Sequence, residues 1–296
     1  MDIGRIGIWT FTLDLVPSSR SIELVDELDE LGFGAVWVPE AVGREAFTSA
    51  SLLLQGGTDI VVATGIAGIY GRDAMTANAA HRTLTEAHPD RFLLGLGVSH
   101  QVMVEGVRKH DYSKPFSAMR DYLDAMDAAM FFAAPPVVEP QRVLAALGPR
   151  MLGLARDRAA GAFPYFVPPE HTAVAREVLG EGPLLAVEQA VVFETDPARA
   201  RDIARSHTKT YTPLPNYTNN LRRLDPSWTD DDFAHAGSDR LVDSIVAWGD
   251  EDAVVARIQA HLDAGADHVC IQVLTDGVAP PVEEWHRLAD LFALRG

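Results

Sequence analysis

Residues 58–101 constrain the fold more than any other part of the chain. They contain a β-branched run at residues 60–64, a segment compatible with a long helix at residues 75–88, and a second apolar run at residues 92–96. Strand, helix and strand in this order predict a βαβ unit, whose two strands run parallel. Ligands of α/β proteins bind where parallel strands end, so the two segments that follow these strands should share one mouth. They read Gly65-Ile66-Ala67-Gly68 and Gly97-Val98-Ser99-His100.

The remainder of the chain repeats this alternation. Further strand-like runs occur at residues 5–9, 35–38, 142–146, 162–167, 184–193 and 268–274, with helical patterns between them. Eight strands within 296 residues predict an α/β fold of the (β/α)8 TIM-barrel type, formed by one domain over residues 1–296. A doubly wound sheet rarely needs so many parallel strands.

Residues 211–237 form a predicted insertion after strand seven. They contain too few periodic apolar residues to predict a core helix over most of their length, yet they include four aromatic residues, Tyr211 and Tyr217 among them. A purely solvated loop would rarely expose so many rings together. Because the loops after barrel strands rise from the catalytic mouth, the insertion is expected to form a lid, with a dimer contact as the alternative. Arg222 or Arg223 could then bind a carboxylate or phosphate.

The composition argues against several classes of function. A formal net charge of −17 makes nucleic acid or an anionic membrane surface an unexpected partner. No apolar run approaches the ~18 residues of a membrane span and no secretory signal is recognised, so a cytoplasmic location is expected. The ten histidines form no His-Glu-x-x-His motif and no tight cluster with carboxylates, so no metal site is expected.

Two short motifs resemble known signatures only in part. Gly95-Leu96-Gly97 begins like a dinucleotide-binding loop, but His100 stands at the position of its third glycine. Counted from Gly97, Gln101 stands where a nucleophile elbow needs its last glycine. Neither a Rossmann site nor a serine hydrolase is predicted.

Two strand ends carry ionisable side chains. Glu40 terminates the apolar second strand, where it could serve as an acid or base or form a salt bridge at the barrel rim. Ser99 and His100 place a hydroxyl beside a titratable ring at the end of strand four. In a barrel, both positions face the functional mouth.

Two further strand ends are suited to binding. Leu147, Gly148 and Pro149 begin a helix after strand five, where free N–H groups could hold a phosphate or simply form a turn. Pro164 and Tyr165 extend an aromatic wall at the end of strand six, where the ring could equally be part of the core.

Five motifs, in a fixed order and spacing, carry a family resemblance. They are residues 4–10, 31–40, 63–66, 89–99 and 147–149. With these motifs the chain resembles, over nearly its whole length, the bacterial luciferase-like flavin and deazaflavin oxidoreductases. The resemblance is strongest to the actinobacterial branch that uses coenzyme F420.

This resemblance implies a TIM barrel that binds its cofactor across the C-terminal mouth. In the family, a bulge with a non-prolyl cis peptide after strand three supports the central ring of the cofactor, and Gly65-Ile66 holds that position here. Gly148 and its neighbours would face the cofactor phosphate. The residues expected to contact the cofactor are Gly65, Ile66, Ala67, Ser99, His100, Leu147, Gly148, Pro149, Pro164 and Tyr165.

Two positions depart from the sugar-phosphate dehydrogenase of this family. That enzyme has a histidine essential to its chemistry after the acid of strand two, whereas this chain has Ala41. A glutamate that is common after strand four is also absent, since His100 and Gln101 stand there. These departures put a sugar-phosphate substrate in doubt.

The expected function is hydride transfer between F420 and a small organic substrate. His100, with Glu40 second, is expected to act as an acid/base group, and Trp9, Tyr211 and Tyr217 are expected to contact the substrate. The alternatives are an FMN-dependent monooxygenase and a flavin-binding barrel without catalysis. Dimers are common in the family, so a homodimer is a possible assembly.

The cofactor's long anionic tail would need a locally basic access route despite the negative net charge. By loop position, the candidates are Arg44, Arg72, Arg108 and Lys109. Surface solubility is the alternative explanation for these charges.

Overall fold

The computed structural model describes residues 1–294. Eight parallel strands form a closed barrel, because each strand pairs with the next along the chain and the eighth pairs with both the seventh and the first. They are β1 (Ile6–Trp9), β2 (Ala35–Val38), β3 (Val61–Thr64), β4 (Phe92–Gly97), β5 (Gln141–Leu144), β6 (Gly161–Ala162), β7 (Leu184–Val192) and β8 (His268–Val273). The predicted TIM barrel is confirmed, while the last two residues of the predicted 1–296 domain lie outside the described residues.

Helices surround this barrel. They are α1 (Ser18–Glu30), α2 (Ala46–Leu53), α3 (Ala74–Ala87), α4 (Pro115–Asp127), α5 (Pro149–Arg158), α6 (Pro169–Leu179), α7 (Pro197–Tyr211), α8 (Pro215–Leu224), α9 (Asp230–Phe233), α10 (Asp239–Ile245), α11 (Glu251–Asp263) and α12 (Val282–Leu291). Local chemistry sets several of their starts. Asp73 accepts a hydrogen bond from Thr76 N at 2.9 Å before α3, and Asp196 does the same for Arg199 N before α7.

Large rings fill the inside of the barrel. Trp37 and Phe163 stack with their ring centroids 4.5 Å apart, and both side chains are fully buried. The Trp37 indole N–H donates to His268 Nε2 at 3.1 Å, so the polar edge of the indole is satisfied. Because alternate strand residues point inward, these rings form a packed interior layer that leaves ligand binding to the barrel's ends.

Two local expectations are wrong. The sixth strand covers only two residues instead of residues 162–167, because Pro164 has no N–H to donate to a ladder and Phe166 adopts a left-handed backbone with φ of 59°. The insertion at residues 211–237 is largely helical, since it holds the end of α7 and all of α8 and α9. Tyr217 and Leu221, one turn apart on α8, supply enough buried surface to fix that helix.

Two further short strands extend the sheet. Ala67–Gly68 pairs with the end of β4, and Ala247–Trp248 pairs with the end of β7. Within residues 1–294, no helix combines the length and the apolar character needed to cross a membrane.

Candidate active site

The segment after β3 forms a bulge at the C-terminal mouth of the barrel. The peptide bond between Gly65 and Ile66 is cis, as the resemblance implies. Trp9 at the end of β1 donates its indole N–H to Gly65 O at 3.1 Å. A Cβ on Gly65 would lie 2.8 Å from that indole nitrogen, and a Cβ on Gly97 would collide with the Ile66 side chain. Glycine at both positions therefore lets the bulge pack between β1 and β4.

Glu40 holds this bulge from the side of β2. Its backbone N–H donates to Ile66 O at 3.3 Å, and its carboxylate accepts a hydrogen bond from Gly68 N at 2.8 Å. The same carboxylate forms an ion pair with Arg72, and both side chains are more than nine-tenths buried. Of the two roles considered for Glu40 from the sequence, the salt bridge at the barrel rim is therefore present. This salt bridge fixes the far end of the bulge.

His100 lies at the end of β4, next to the insertion. Its ring centroid is 5.4 Å from that of Tyr217 on α8, and its Nδ1 is buried without a hydrogen-bond partner among the described residues. Desolvation lowers the pKa of the ring, and a side-chain hydrogen bond with Asn216 acts in the opposite direction. His100 is therefore a neutral imidazole at physiological pH, with one ring nitrogen left to bind a further group. Ser99, just before it, has a left-handed φ of 57° that turns the chain out of β4.

A second polar position lies at the start of α5. Gly148 is the N-cap and Pro149 is the first helical residue. The guanidinium of Arg223 lies over this turn, since a Cβ on Gly148 would be 3.4 Å from Arg223 Nη1. Leu147 O accepts the ring N–H of His171 at 2.8 Å, which anchors the turn from below. A helix N-terminus and a cation thus face the same point, an arrangement suited to a phosphate.

Aromatic side chains join these parts. The Tyr165 ring lies 5.1 Å from Trp9, 5.2 Å from Tyr211 and 6.3 Å from Tyr217. The Tyr165 hydroxyl donates to Gln272 Oε1 at 2.8 Å and lies 2.9 Å from the Tyr211 hydroxyl. The insertion therefore packs against the strand ends, where Tyr211 and Tyr217 both contact Tyr165. Burial raises the pKa of the Tyr211 hydroxyl to about 12, so it stays protonated.

Most of the predicted site residues occur together. A continuous series of contacts links Trp9, Gly65, Ile66, Ala67, Glu40, Tyr165, Tyr211, Tyr217 and His100. Gly148 joins them through α8, which carries both Arg223 and Tyr217. Pro164 lies one residue before Tyr165, where its carbonyl accepts a hydrogen bond from Glu188 N at 3.2 Å.

The basic residues proposed for an access route have different surroundings. Arg44 donates to Leu13 O and Val16 O, and Arg72 pairs with Glu40, so both are engaged in holding loops together. Arg108 and Lys109 are exposed on the loop that follows β4.

Two buried polar groups near the mouth are not among the residues predicted from the sequence. Glu188 on β7 is 2% exposed, and its Oε2 accepts a hydrogen bond from Phe166 N at 3.2 Å. Desolvation raises the pKa of this carboxyl to about 8, so it is neutral at pH 7. His207 on α7 is also buried, and its Nε2 has no partner among residues 1–294. Glu188 could have been singled out from the sequence, because it is a charged residue inside the apolar run at residues 184–193.

Comparison with known proteins finds a relative that aligns with nearly the whole chain. A curated relative from Mycobacterium tuberculosis (strain ATCC 25618 / H37Rv), named provisionally as a coenzyme F420-dependent oxidoreductase, is 25% identical over 96% of this chain and 97% of its own length.

Solved structures show the same fold at low sequence identity. An F420-dependent secondary alcohol dehydrogenase in complex with an F420-acetone adduct has a TM-score of 0.78, 14% identity and full coverage of both chains. The coenzyme F420-dependent tetrahydromethanopterin reductase from Methanopyrus kandleri has a TM-score of 0.68 and 17% identity, with 97% of each chain covered. A type II Baeyer–Villiger monooxygenase of Pseudomonas putida in complex with FMN has a TM-score of 0.66 and 13% identity, covering 98% of this chain and 96% of its own.

A protein-family model matches most of the chain and identifies its family. The model described as luciferase-like monooxygenase matches residues 14–268, which include six complete barrel strands (β2 to β7), the bulge, the start of α5 and the insertion. The chain therefore belongs to the luciferase-like monooxygenase family.

Proposed function

We propose that this protein is an F420-dependent oxidoreductase that moves a hydride between the deazaflavin and a small organic substrate. The observation that carries the proposal is the bulge at Gly65-Ile66, held by Trp9 on one side and by Glu40 on the other. The name of the Mycobacterium tuberculosis relative, which aligns over nearly the whole chain, supports F420 as the cofactor.

The residues at the mouth fit such a cofactor. The bulge lies between Trp9 of β1 and Gly97 of β4, and the backbone of the bulge is where the ring of such a cofactor would rest. Gly148 has no side chain where α5 begins, and Arg223 lies beside it, so a phosphate would meet both N–H groups and a guanidinium. The buried, unpartnered Nδ1 of His100 is a polar atom that a bound group would satisfy.

The cofactor supplies the redox chemistry in this class of enzyme, and the protein supplies binding, orientation and proton movement. His100 is the residue we assign to proton movement, because desolvation lowers the pKa of its ring and so keeps the imidazole neutral and able to accept a proton. Glu40 is better suited to positioning, because its carboxylate is already bound to Arg72 and Gly68 N. Trp9, Tyr165 and the insertion would exclude water from the mouth.

An FMN-dependent monooxygenase is the second candidate, and the family model and the FMN-bound neighbour favour it. Equilibrium titration of the purified protein with F420 and, separately, with FMN should show F420 binding at least about tenfold more tightly. Turnover of reduced F420 with an organic acceptor, without oxygen, would complete the test. Tight binding of FMN with oxygen consumption would support the monooxygenase instead, and binding without any turnover would support a non-catalytic barrel.

Arg223 and Arg222 provide a matched pair of variants for the phosphate position. Arg223→Met should weaken F420 binding by about 10- to 100-fold, since a hydrogen bond to a charged group contributes ~1.5–3 kcal/mol. Arg222→Met should leave the dissociation constant unchanged, because Arg222 pairs with Asp230 and lies 4.8 Å over the Phe233 ring. Fluorescence titration measures both.

A deazariboflavin without phosphate serves as the control ligand for this pair. It should bind the wild type and Arg223→Met equally. An equal loss of affinity for both ligands in Arg223→Met would show that Arg223 supports the fold of α8 and does not contact the phosphate.

A further inference from the structure

The segment at residues 164–166, which presents the Tyr165 ring, lacks the hydrogen bonds of a strand. β6 ends at Ala162, and Pro164 has no N–H to donate to a neighbouring strand. Phe166 then adopts a left-handed backbone with φ of 59°, a conformation that residues other than glycine keep only where their surroundings enforce it. The sheet ladder therefore does not hold Tyr165 in place.

Glu188 on β7 binds the chain on both sides of Tyr165. Its backbone N–H donates to Pro164 O at 3.2 Å, and its side-chain Oε2 accepts from Phe166 N at 3.2 Å. The carboxyl thus gives Phe166 the partner that a neighbouring strand would otherwise supply. Because one residue holds both flanks, its position sets the position of the ring between them.

The side chain of Glu188 points into the barrel. Ala186, two residues earlier on the same strand, belongs to the interior cluster that contains Trp37 and Phe163. Side chains two residues apart on a strand lie on the same face. Glu188 therefore supports the segment at residues 164–166 from inside the barrel.

The Tyr165 ring is the point at which the bulge and the insertion meet. It lies 5.1 Å from Trp9, whose indole N–H donates to Gly65 O. On its other side it lies 5.2 Å from Tyr211 and 6.3 Å from Tyr217. A shift of this ring would break contacts on both sides at once.

The surroundings of Glu188 contain titratable groups but no positive charge. The groups that face it, or that lie beside the Phe166 ring, come from the segment after β6, from α7, α8 and β8, and they are Tyr165, Tyr211, His207, Tyr217 and Cys270. Burial raises the pKa of the hydroxyls and of the thiol and lowers the pKa of the His207 ring, so all five are neutral at pH 7.

The neutral acid is the form of Glu188 that fits this place. Desolvation raises the pKa of the carboxyl to about 8, although the bond from Phe166 N lowers it. Within residues 1–294 no cation pairs with this carboxyl, and its Oε1 has no hydrogen-bond partner. An ionised Glu188 would therefore be a buried charge without compensation.

We propose that Glu188 is a positioning residue of the mouth, which brackets Tyr165 and holds its ring between Trp9 and the insertion. Glu188 acts through Tyr165 and does not touch a ligand itself, because it is buried inside the barrel. When the carboxyl loses its proton, the segment at residues 164–166 must open to hydrate the charge, and the ring leaves its place. The effect on F420 rests on the proposed function, whereas the bracket itself stands on the two hydrogen bonds.

Glu188→Gln and Glu188→Ala separate the hydrogen bond from the charge. Glutamine can accept from Phe166 N and cannot ionise, whereas alanine removes the acceptor. Hydrogen exchange of the peptide that contains Phe166, followed by mass spectrometry at pH 7, should be equally slow in the wild type and Glu188→Gln. It should be at least about tenfold faster in Glu188→Ala. At pH 9 the wild type should exchange faster than Glu188→Gln.

F420 affinity should follow the same pattern. With a pKa of about 8, only about a tenth of the wild-type protein carries the neutral acid at pH 9. The dissociation constant of the wild type, divided by that of Glu188→Gln, should therefore rise about tenfold between pH 7 and pH 9. This ratio cancels any titration of the ligand. Glu188→Ala should bind F420 at least about tenfold more weakly than the wild type at pH 7.

Gln189→Met is the matched control for a general loss of stability. Gln189 is the next residue on β7, is also fully buried and points to the opposite face. There it bonds to Ile245 O at 2.8 Å and to the His261 ring at 2.9 Å. The variant should lower the free energy of unfolding but leave the F420 affinity of the folded protein unchanged.

Three results would overturn the assignment: an equal alkaline loss of affinity in the wild type and Glu188→Gln, wild-type affinity in Glu188→Ala, or an equal loss of affinity in Gln189→Met. Absence of F420 binding to the wild type would refute the proposed function instead. Exchange of the Phe166 peptide would then decide the role of Glu188 alone. Fast exchange at pH 7 in Glu188→Ala only would support the bracket, and the same rate in all three proteins would refute it.

Discussion

Lowering the pH from 7 to 5 should remove on the order of 5 kcal/mol from the free energy of unfolding, a large part of the ~5–15 kcal/mol of a typical domain. The reason is a set of histidines that are buried in the neutral form. Desolvation lowers the pKa to about 3 for His81, His207 and His261 and to about 4 for His268, from an ordinary value of 6.5.

The direction follows from proton binding. Between pH 6.5 and 4 the unfolded chain protonates these histidines and the folded chain does not, so the stability present above pH 6.5 is lost as the pH falls. Each group contributes a slope of ~1.4 kcal/mol per pH unit in this window. The single carboxyl of Glu188 acts in the opposite direction, because its pKa is raised from 4.5 to about 8 in the folded protein. The stability that this carboxyl contributes is fully present below pH 4.5 and is lost as the pH rises through 8. Four groups outweigh one, so acid destabilises the protein and maximal stability lies near neutral pH.

Urea unfolding at half-unit steps from pH 8 to pH 5, followed by tryptophan fluorescence, measures this profile. His81→Gln keeps a donor for Gln141 O and should reduce the acid slope by about one proton. His235→Asn, at an exposed position, should leave the slope unchanged. Glu188→Gln should remove the loss on the alkaline side and steepen the acid limb by about one proton, because this carboxyl acts over the whole range between pH 4.5 and 8. An acid limb that is flat down to pH 5 would show that these four rings are hydrated in the folded protein.

Strand positions were predictable because the barrel repeats a simple local pattern. The apolar run at residues 35–38 coincides with β2, and the run at residues 92–96 falls one residue short of β4. The prediction of a strand over residues 162–167 was wrong because the apolar pattern of this segment continues beyond the point where Pro164 stops the hydrogen-bond ladder. The helix α8 was missed because its burial rests mainly on Tyr217 and Leu221, too few to produce a visible period.

The chemistry of the site was only partly visible in the sequence. Strand ends indicated Glu40, His100 and Gly148, because the mouth of a parallel barrel collects them by topology. The contact partners of these residues could not be predicted from the sequence. Arg72, which neutralises Glu40, is 32 positions away in the chain and lies on a different loop. The neighbours of Tyr165 likewise come from α7 and β8, and no local pattern in the sequence relates these elements.

The buried ion pair between Arg72 and Glu40 should be the most sensitive single contact around the bulge. Arg72→Met would leave the Glu40 carboxylate buried without its cation, and we expect the free energy of unfolding to fall by about 3–5 kcal/mol. Arg20→Met is the matched control. The Arg20 pair with Glu23 is exposed, so this change should cost less than about 1 kcal/mol. Urea unfolding at pH 7 distinguishes the two variants.

Combining Arg72→Met with Glu40→Gln tests whether the unpaired charge of Glu40 alone causes the loss of stability in Arg72→Met. The neutral amide can still accept the hydrogen bond from Gly68 N through its oxygen, so the double variant should recover most of the stability lost by Arg72→Met. F420 binding should recover with it, because the bulge is again held at Gly68. Full recovery of binding and turnover would identify Glu40 as a residue that positions the bulge. Recovery of stability and binding with turnover still abolished would show instead that the Glu40 carboxylate takes part in proton transfer.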